Sequence, residues 1–336
     1  MVPCVLALAL AQPVPVEPIG AILEAFKTHD VVGLSAGEGH DDAAGPDAFV
    51  ISLIRDPRFA SLPIDIVVEN ANARYQAVMD RYVSGEDVSD ADLAHVWNDT
   101  TQPLAMRATG DIPATYQALR AVNRRLPKDG QHRALLGDPP IEWEHVETRQ
   151  DFRPWLERRD SNPADVIRRE ILGKRRKALV IYGAGHLQRK NQMSNHAMDS
   201  PLAQTLVSLL ERDGIRTFIV TRVADTDDVR SWPTPSLAII RGTTMGSEDV
   251  PPLGLPRVSV KADGTFAPLP RDQWASLKRE EQYDAVLRLA PYTSAERSPA
   301  VCADRDFIDE HLRRIPLTGM PTTELDRVKK LCGLTK

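Results

Sequence analysis

Two histidines each close a short glycine motif, and each motif follows an apolar run. The motif Gly37-Glu38-Gly39-His40 comes after residues 31–34, and the motif Gly183-Ala184-Gly185-His186 comes after residues 178–182. Two imidazoles can hold a divalent metal that keeps an open position for water. Without a metal, an imidazole oriented by a carboxylate can act as a general base. The two motifs therefore indicate a catalytic or metal-binding site, and the sequence leaves both versions open.

Acidic side chains follow two further apolar runs. Glu69 comes directly after residues 64–68, and Asp138 comes shortly after residues 134–136. We predict four catalytic residues: Glu38, His40, Glu69 and His186. In the metal version, His40, Glu69 and His186 would bind the ion. In that version Glu38 takes the proton from bound water. Three further residues are predicted to bind the substrate: Asn72, Tyr75 and Asp138.

Each of the two later acidic residues also has a structural interpretation. Glu69 could cap the helix that follows it, since negative charge is favourable at a helix N-terminus. Asp138 could be a turn residue in front of Pro139-Pro140. The position of Glu69 at the tip of an apolar run favours the site, whereas both interpretations of Asp138 stay open.

A serine nucleophile is a minor alternative. Residues 33–37 spell Gly-x-Ser-x-Gly around Ser35. A nucleophile elbow needs a sharp turn at the serine and a helix directly after it. Residues 38–45 are polar and rich in glycine, and the next helix is expected only at Pro46. We therefore predict that Ser35 is the last residue of a strand.

Strands and helices alternate through the first two thirds of the chain. The apolar runs predict five strands and suggest two more, at residues 31–34, 64–68, 134–136, 178–182, 217–220, 237–240 and 285–287. This alternation predicts an α/β fold with a mostly parallel sheet and helices on both faces. The strand at 178–182 is apolar throughout and is expected to be central. We expect a single domain with an irregular C-terminal portion, because residues 242–270 are rich in glycine and proline.

Ligands of open parallel sheets bind outside the carboxyl ends of the strands. All the predicted site residues except Tyr75, which is expected on the helix after residues 64–68, lie at or just beyond such an end. Neighbouring strands are ~4.8 Å apart, so side chains on their tips can meet in one pocket. The sequence therefore predicts that Glu38, His40, Glu69 and His186 converge at one edge of the sheet.

The N-terminus is expected to carry an export signal. Residues 2–11 are mostly apolar and end in Ala9-Leu10-Ala11, which is typical of a signal-peptide cleavage site, although the first cation is Lys27. The expected organisation is a candidate signal peptide (1–11), a linker with the first helix (12–29) and the α/β domain (30–335). The protein would then be periplasmic or secreted, and cytoplasmic if residues 2–11 are not a signal.

Composition and cysteine content limit the partners. The net charge of −5 argues against nucleic acid, since such proteins usually present a basic face to phosphate. The apolar run at the N-terminus is too short to span a bilayer, which takes ~20 residues. After export, Cys302 and Cys332 would remain and could pair. A small-molecule or peptide substrate is the expected partner, and the sequence indicates no oligomeric state.

At these residues the chain resembles the superfamily that contains the Tiki/TraB, ChaN and erythromycin-esterase proteins. The motif ending at His40 is similar to the first motif of that group, the motif ending at His186 to the second, and Glu69 to the glutamate between them. The resemblance covers residues 31–220. The chain differs from the esterases in having one residue, not two, between Glu38 and His40, and it has no lipobox of the ChaN kind.

The resemblance implies several activities. Tiki proteins are metal-dependent proteases, erythromycin esterases open a lactone with histidine and glutamate, and ChaN binds haem. Our leading expectation is a cell-envelope hydrolase acting on an ester, lactone or amide, with or without a divalent metal. The alternative is a protein that binds haem or another iron compound, with axial ligands from Tyr75, Tyr182, His40 or His186. A scaffolding role is a third alternative.

Overall fold

The computed structural model describes residues 10–35, 46–102, 112–190, 204–223, 226–250, 258–260, 266–268, 270, 277–290, 302–319 and 322–334. Glu38 and His40 lie outside these residues, so the structure describes neither of them. Glu69, Asn72, Tyr75, Asp138 and His186 all lie within them.

Nine strands occur in the described residues, and seven of them form one sheet. In chain order they are β1 (Val31–Leu34), β2 (Ile64–Asn72), β3 (Ala134–Asp138), β4 (Lys177–Ile181), β5 (Thr217–Arg222), β6 (Ser236–Ile239), β7 (Val258–Val260), β8 (Phe266–Pro268) and β9 (Ala285–Arg288). The spatial order of the large sheet is β3-β2-β4-β1-β5-β9-β6, and β7 and β8 pair separately. All neighbours in the large sheet are parallel except β6 and β9. The predicted α/β fold with a mostly parallel sheet is confirmed.

The helices connect and cover these strands. They are α1 (Pro18–Ala25), α2 (Pro46–Arg55), α3 (Pro57–Ala60), α4 (Gln76–Ser84), α5 (Asp90–Asn98), α6 (Ala114–Asn123), α7 (Arg149–Glu157), α8 (Ser161–Val166), α9 (Leu206–Arg212), α10 (Asp227–Arg230), α11 (Arg279–Gln282), α12 (Arg305–Thr318) and α13 (Thr322–Leu331). A π-helical turn, Ile167–Ile171, continues α8 towards β4. In the part of the chain that the structure describes, no helix combines the length and apolar character needed to cross a bilayer.

Alternate residues of each central strand supply two separate cores. Val32 and Leu34 of β1 pack with helices α1 to α6 on one face of the sheet. Val31, the neighbour of Val32, packs with α8, α9 and α10 on the other face. Because side chains alternate across a strand, a run that is apolar at every position fits a sheet covered on both sides. The central position expected for β4 is confirmed, since it lies between β2 and β1.

Two strands that carry predicted site residues are longer than the sequence predicted. β2 was expected to end at Val68 but continues to Asn72, and β3 continues to Asp138. The pairing of β2 with β3 shifts register between Val68 and Asn72 and resumes where Asn72 faces Asp138. Such a bulge re-aims the side chains within it. Glu69 therefore projects from the irregular part of a strand and not from the turn after it.

A disulfide bond links Cys302, which precedes α12, to Cys332, which directly follows α13, and their α-carbons lie 5.2 Å apart. The pairing that the sequence allowed is therefore present. α12 packs beside α7 through a small cluster that includes Phe152 and Leu317. At the other end of the described chain, Val16 exchanges two backbone hydrogen bonds with Leu237 of the edge strand β6.

Candidate functional site

Glu69 and the second glycine motif meet where β2 and β4 end. Val68 is paired with Ile181, so the next residues, Glu69 and Tyr182, continue side by side. The backbone N–H of Gly183 donates to Glu69 Oε2 over 2.5 Å. A Cβ at position 183 would lie 3.0 Å from that oxygen, so glycine permits this close approach. The buried carboxylate of Glu69 is thereby fixed at the start of the turn that carries His186.

His186 is held by an aspartate that the sequence did not single out. Its Nδ1 atom lies 2.8 Å from Asp160 Oδ1, the residue that precedes α8. The same oxygen accepts a hydrogen bond of 2.7 Å from the backbone N–H of Leu206, the first residue of α9. This arrangement orients the imidazole and leaves its Nε2 atom facing Glu69 Oε1 at 3.5 Å.

Arg159 lies between the two predicted site residues. Its Nη2 atom donates to Glu69 Oε1 over 3.2 Å and lies 3.3 Å from His186 Nε2. Gln102 also donates to Glu69 Oε1, over 2.9 Å. Asp160, His186, Arg159 and Glu69 thus form a continuous chain of alternating charge and hydrogen bonding. We refer to these four residues as the His186 cluster.

The cluster shifts the pKa values of its members in ways that suit a base. Burial lowers the pKa of His186, the carboxylates of Asp160 and Glu69 raise it, and the net shift is upward. Burial raises the pKa of Glu69, but His186, Arg159 and the Gly183 N–H lower it more. Glu69 is therefore ionised at neutral pH, and its charge is balanced by Arg159.

Asp138 lies on β3 and is buried against a different partner. Its two oxygens accept hydrogen bonds from Thr101, 2.5 Å from Oγ1 and 2.7 Å from the backbone N–H. Burial raises the pKa of Asp138 to about 7, although both Thr101 bonds oppose the shift. Two buried carboxylates of one sheet edge thus have opposite pKa shifts. Groups whose pKa values are moved apart in this way can play opposite roles in proton transfer, one as the acid and the other as the base.

Asn72 and Tyr75, predicted to bind substrate, lie further along the same edge. The Asn72 amide is fully buried and donates to the carbonyls of Asp99 and Ile141 over 2.7 and 3.1 Å. The Tyr75 hydroxyl donates to Asp99 Oδ2 over 2.9 Å. Tyr75 and Ile141 line a cavity of about 550 Å³ beyond β3, which α12 closes on one side. Asn72 therefore holds the backbone of Ile141, which lines this cavity, and the substrate contacts of both Asn72 and Tyr75 stay predictions.

Sequence reasoning missed Asp160, Arg159 and Gln102. Charged residues around the end of a helix are ordinary, and nothing in the spacing of residues 158–163 relates them to His186. One signal is recognisable in retrospect. Asp160 occupies the N-cap position of α8, yet its side chain makes no capping bond to that helix. Its carboxylate is used by His186 and Leu206 instead.

The described part of the predicted metal site does not fit a divalent ion in this arrangement. A metal would need Glu69 Oε1 and His186 Nε2 as ligands, and the Arg159 guanidinium is within 3.3 Å of both. Among the described residues, one other group brings three metal-binding side chains within 4.8 Å, formed by Glu142, Glu144 and His145. It is mostly exposed, and Arg74 already pairs with Glu144 at 2.6 Å.

The described candidates for an axial haem ligand do not fit that role either. The Tyr75 hydroxyl is bonded to Asp99, and Tyr182 is only 1% exposed. Both ring nitrogens of His186 face protein groups, Asp160 on one side and Arg159 with Glu69 on the other. None of these three side chains presents an open ligand atom to an iron centre.

No protein-family model matches the chain, and no curated protein matches it. Solved structures of similar fold include a Bacillus cereus protein, with 11% identity over 86% of this chain and 97% of that chain and a TM-score of 0.49. A mutant of the erythromycin esterase EreC in its open conformation has 11% identity over 82% of this chain and 93% of that chain, with a TM-score of 0.43. ChaN of Campylobacter jejuni with cofacial haem has 14% identity over 64% of this chain and 89% of that chain, with a TM-score of 0.38. These likenesses concern the fold alone.

Proposed function

We propose that this chain is a hydrolase of the cell envelope that cleaves an ester, lactone or amide, with His186 as its general base. The observation that carries the proposal is the contact between His186 Nδ1 and Asp160 Oδ1 at 2.8 Å. A carboxylate on Nδ1 fixes the tautomer in which Nε2 carries the lone pair, and it stabilises the imidazolium that forms.

The reaction needs a proton acceptor and a positive charge in the same place. A substrate carbonyl oxygen that takes the Arg159 guanidinium as its hydrogen-bond donor frees His186 Nε2, which then takes a proton from water as the water oxygen attacks the carbonyl carbon. Negative charge then develops on the carbonyl oxygen, and the Arg159 guanidinium beside Nε2 can stabilise it. When the tetrahedral intermediate collapses, the imidazolium returns its proton to the leaving oxygen or nitrogen. Every step uses residues of this chain and one water molecule.

Glu69 supports both of these groups. Its Oε1 atom accepts a hydrogen bond from Arg159 and so keeps the guanidinium beside the imidazole. Its charge also raises the pKa of His186. Glu38 and His40 follow β1, the other neighbour of β4, and their participation remains the sequence-based prediction made above.

Two features support placing the enzyme in the cell envelope. Residues 2–11 form an apolar run with a small-residue end, and Cys302 is bonded to Cys332. Disulfides of this kind persist in the periplasm or outside the cell and are rare in the reducing cytosol. We propose that the apolar run directs export and that the bond forms afterwards.

The proposal is tested with p-nitrophenyl butyrate as an ester probe and a simple lactone as a second substrate. His186→Ala should lower kcat by roughly 10²–10⁴-fold, the usual contribution of a general base. His29→Asn is the matched control, because His29 lies just before β1 and so at the opposite end of the strands from His186, and it should leave kcat unchanged. Equal rates for the wild type and His186→Ala on both substrates would overturn the proposal.

A further inference from the structure

The Tyr182 hydroxyl is a buried donor that none of the interactions described so far uses. Tyr182 is 1% exposed, and its hydroxyl has no hydrogen-bond partner among the described residues. Burial raises its pKa well above the ordinary value, and the neighbouring carboxylates of Glu69, Asp138 and Asp160 add to the shift. The phenol therefore keeps its proton and remains a donor. Buried donors are nearly always paired, with protein or with bound water.

The position of this hydroxyl places it inside the site. Tyr182 follows β4, but a Cβ at position 137 on β3 would lie only 1.7 Å from its oxygen. The ring therefore reaches across β2, and Gly137 leaves the space for it. The same ring packs edge-on against the imidazole of His186, with centroids 5.8 Å apart and an interplanar angle of 81°. Tyr182 thus touches His186 and reaches towards Asp138.

Two of the carboxylates that raise the pKa of Tyr182, those of Glu69 and Asp138, have unused acceptor capacity. Glu69 Oε2 accepts a hydrogen bond from the Gly183 N–H, and each Asp138 oxygen accepts one from Thr101. A carboxylate oxygen can accept two hydrogen bonds. A water molecule bound to the hydroxyl could donate to these free lone pairs, as buried waters do with polar groups that lack a protein partner.

We propose that the Tyr182 hydroxyl binds an internal water molecule, which it shares with the carboxylates of Glu69 and Asp138. Tyr182 thereby acts as a positioning residue for the His186 cluster. The water donates to Glu69, which in turn holds Arg159 beside His186. The ring of Tyr182 supports the imidazole from the side. The positioning role rests on the proposed function, whereas the binding of water does not.

The first arm of the test measures stability and is independent of catalysis. Tyr182→Phe removes only the hydroxyl. If the hydroxyl holds a shared water, its loss should reduce the folding equilibrium constant by about five-fold and lower the urea midpoint. Tyr283→Phe is the matched control, because Tyr283 is also buried and its hydroxyl accepts from Gln188 Nε2 at 3.3 Å. A midpoint that is unchanged or raised by Tyr182→Phe, while Tyr283→Phe lowers it, would overturn the proposal.

The second arm measures kcat and KM with p-nitrophenyl butyrate. Because the hydroxyl is buried and has no surface to offer a substrate, Tyr182→Phe should lower kcat at least ten-fold and leave KM unchanged. Tyr283→Phe should change neither. An unchanged kcat in Tyr182→Phe, with His186→Ala inactive, would overturn the positioning role and spare the proposed function. If His186→Ala is also fully active, the proposed function and the positioning role both fail, and the first arm still decides whether water is bound.

Discussion

One oxygen of Asp160 lies 2.8 Å from His186 Nδ1 and 2.7 Å from the backbone N–H of Leu206. A single carboxylate therefore links the segment between α7 and α8, the turn after β4 and the start of α9. The orientation of the imidazole depends on three connections of the fold at once. This explains how a histidine in a glycine-rich turn can have a fixed direction.

Replacing Asp160 with asparagine should impair the base without removing it. The carboxylate raises the pKa of His186, so the neutral amide should move the midpoint of the pH–rate profile to lower pH. It should also lower kcat by at least about 10²-fold, because the imidazolium loses its counter-charge. The measurement is the hydrolysis of p-nitrophenyl butyrate between pH 5 and 9. An unchanged midpoint would show that Asp160 does not act on His186.

Asp138 should make the protein less stable as the pH rises. Its folded pKa is about 7, above the ordinary value of 3.8, so the folded state retains a proton that the unfolded state has lost. The stabilisation is present below about pH 4 and is lost as the pH approaches 7. Between pH 5 and 8 this amounts to about 3 kcal/mol, from ~1.36 kcal/mol for each pKa unit.

The contribution of Asp138 is isolated by comparing the wild type with Asp138→Asn in urea unfolding at pH 5 and pH 8. The amide does not titrate, so the variant should become more stable relative to the wild type as the pH rises. The substitution also removes a hydrogen bond to Thr101, but the cost of that loss is the same at both pH values and cancels in this comparison. A stability difference that is the same at both pH values would contradict the prediction.

Gly137 should tolerate no side chain. A Cβ there would lie 1.7 Å from the Tyr182 hydroxyl and 2.8 Å from the carbonyl oxygen of Val68, and the second atom belongs to the backbone. Gly137→Ala should therefore lower the free energy of unfolding by about 3 kcal/mol, the upper range for overpacking. Gly130→Ala is the control, since its nearest neighbours would be at an ordinary 3.4 and 3.5 Å. Equal stability of the two variants would contradict the proposed path of the Tyr182 ring.

The disulfide should contribute substantially to stability. Cys302 and Cys332 are separated by 30 residues, and closing a loop of that size stabilises the folded state by roughly 3–4 kcal/mol in the chain-entropy model. The variant with serine at both positions should unfold at correspondingly lower urea. Reductant should destabilise the wild type to the same level and leave the double variant unaffected. A wild type that is insensitive to full reduction would disprove this contribution.

Much of the sheet could be predicted from the sequence, because buried parallel strands are continuous apolar runs. β4 is such a run, and its central place followed from that alone. The contact between Glu69 and His186 followed from their positions at the ends of strands. The bulge in β2 could not be predicted, since three of the four residues 69–72 are polar and the segment resembles a turn. Only the pairing of Asn72 with Asp138 shows that the strand continues.

Arg159 and Asp160 could not be assigned to the site for a different reason. They precede a short helix, and only the tertiary packing of α8 against the sheet brings them to His186. Local propensity carries no information about such a contact. The same holds for Gln102, which reaches Glu69 from the segment after α5.

The central claim is that His186 acts as a base without a metal ion. The most direct test is the pH dependence of kcat/KM for p-nitrophenyl butyrate after exhaustive dialysis against a strong chelator. We predict full activity and a rate that rises with pH through a single ionisation above the ordinary histidine value of 6.5, because the net pKa shift of His186 is upward. Loss of activity in chelator that is restored by adding zinc would contradict a metal-free base.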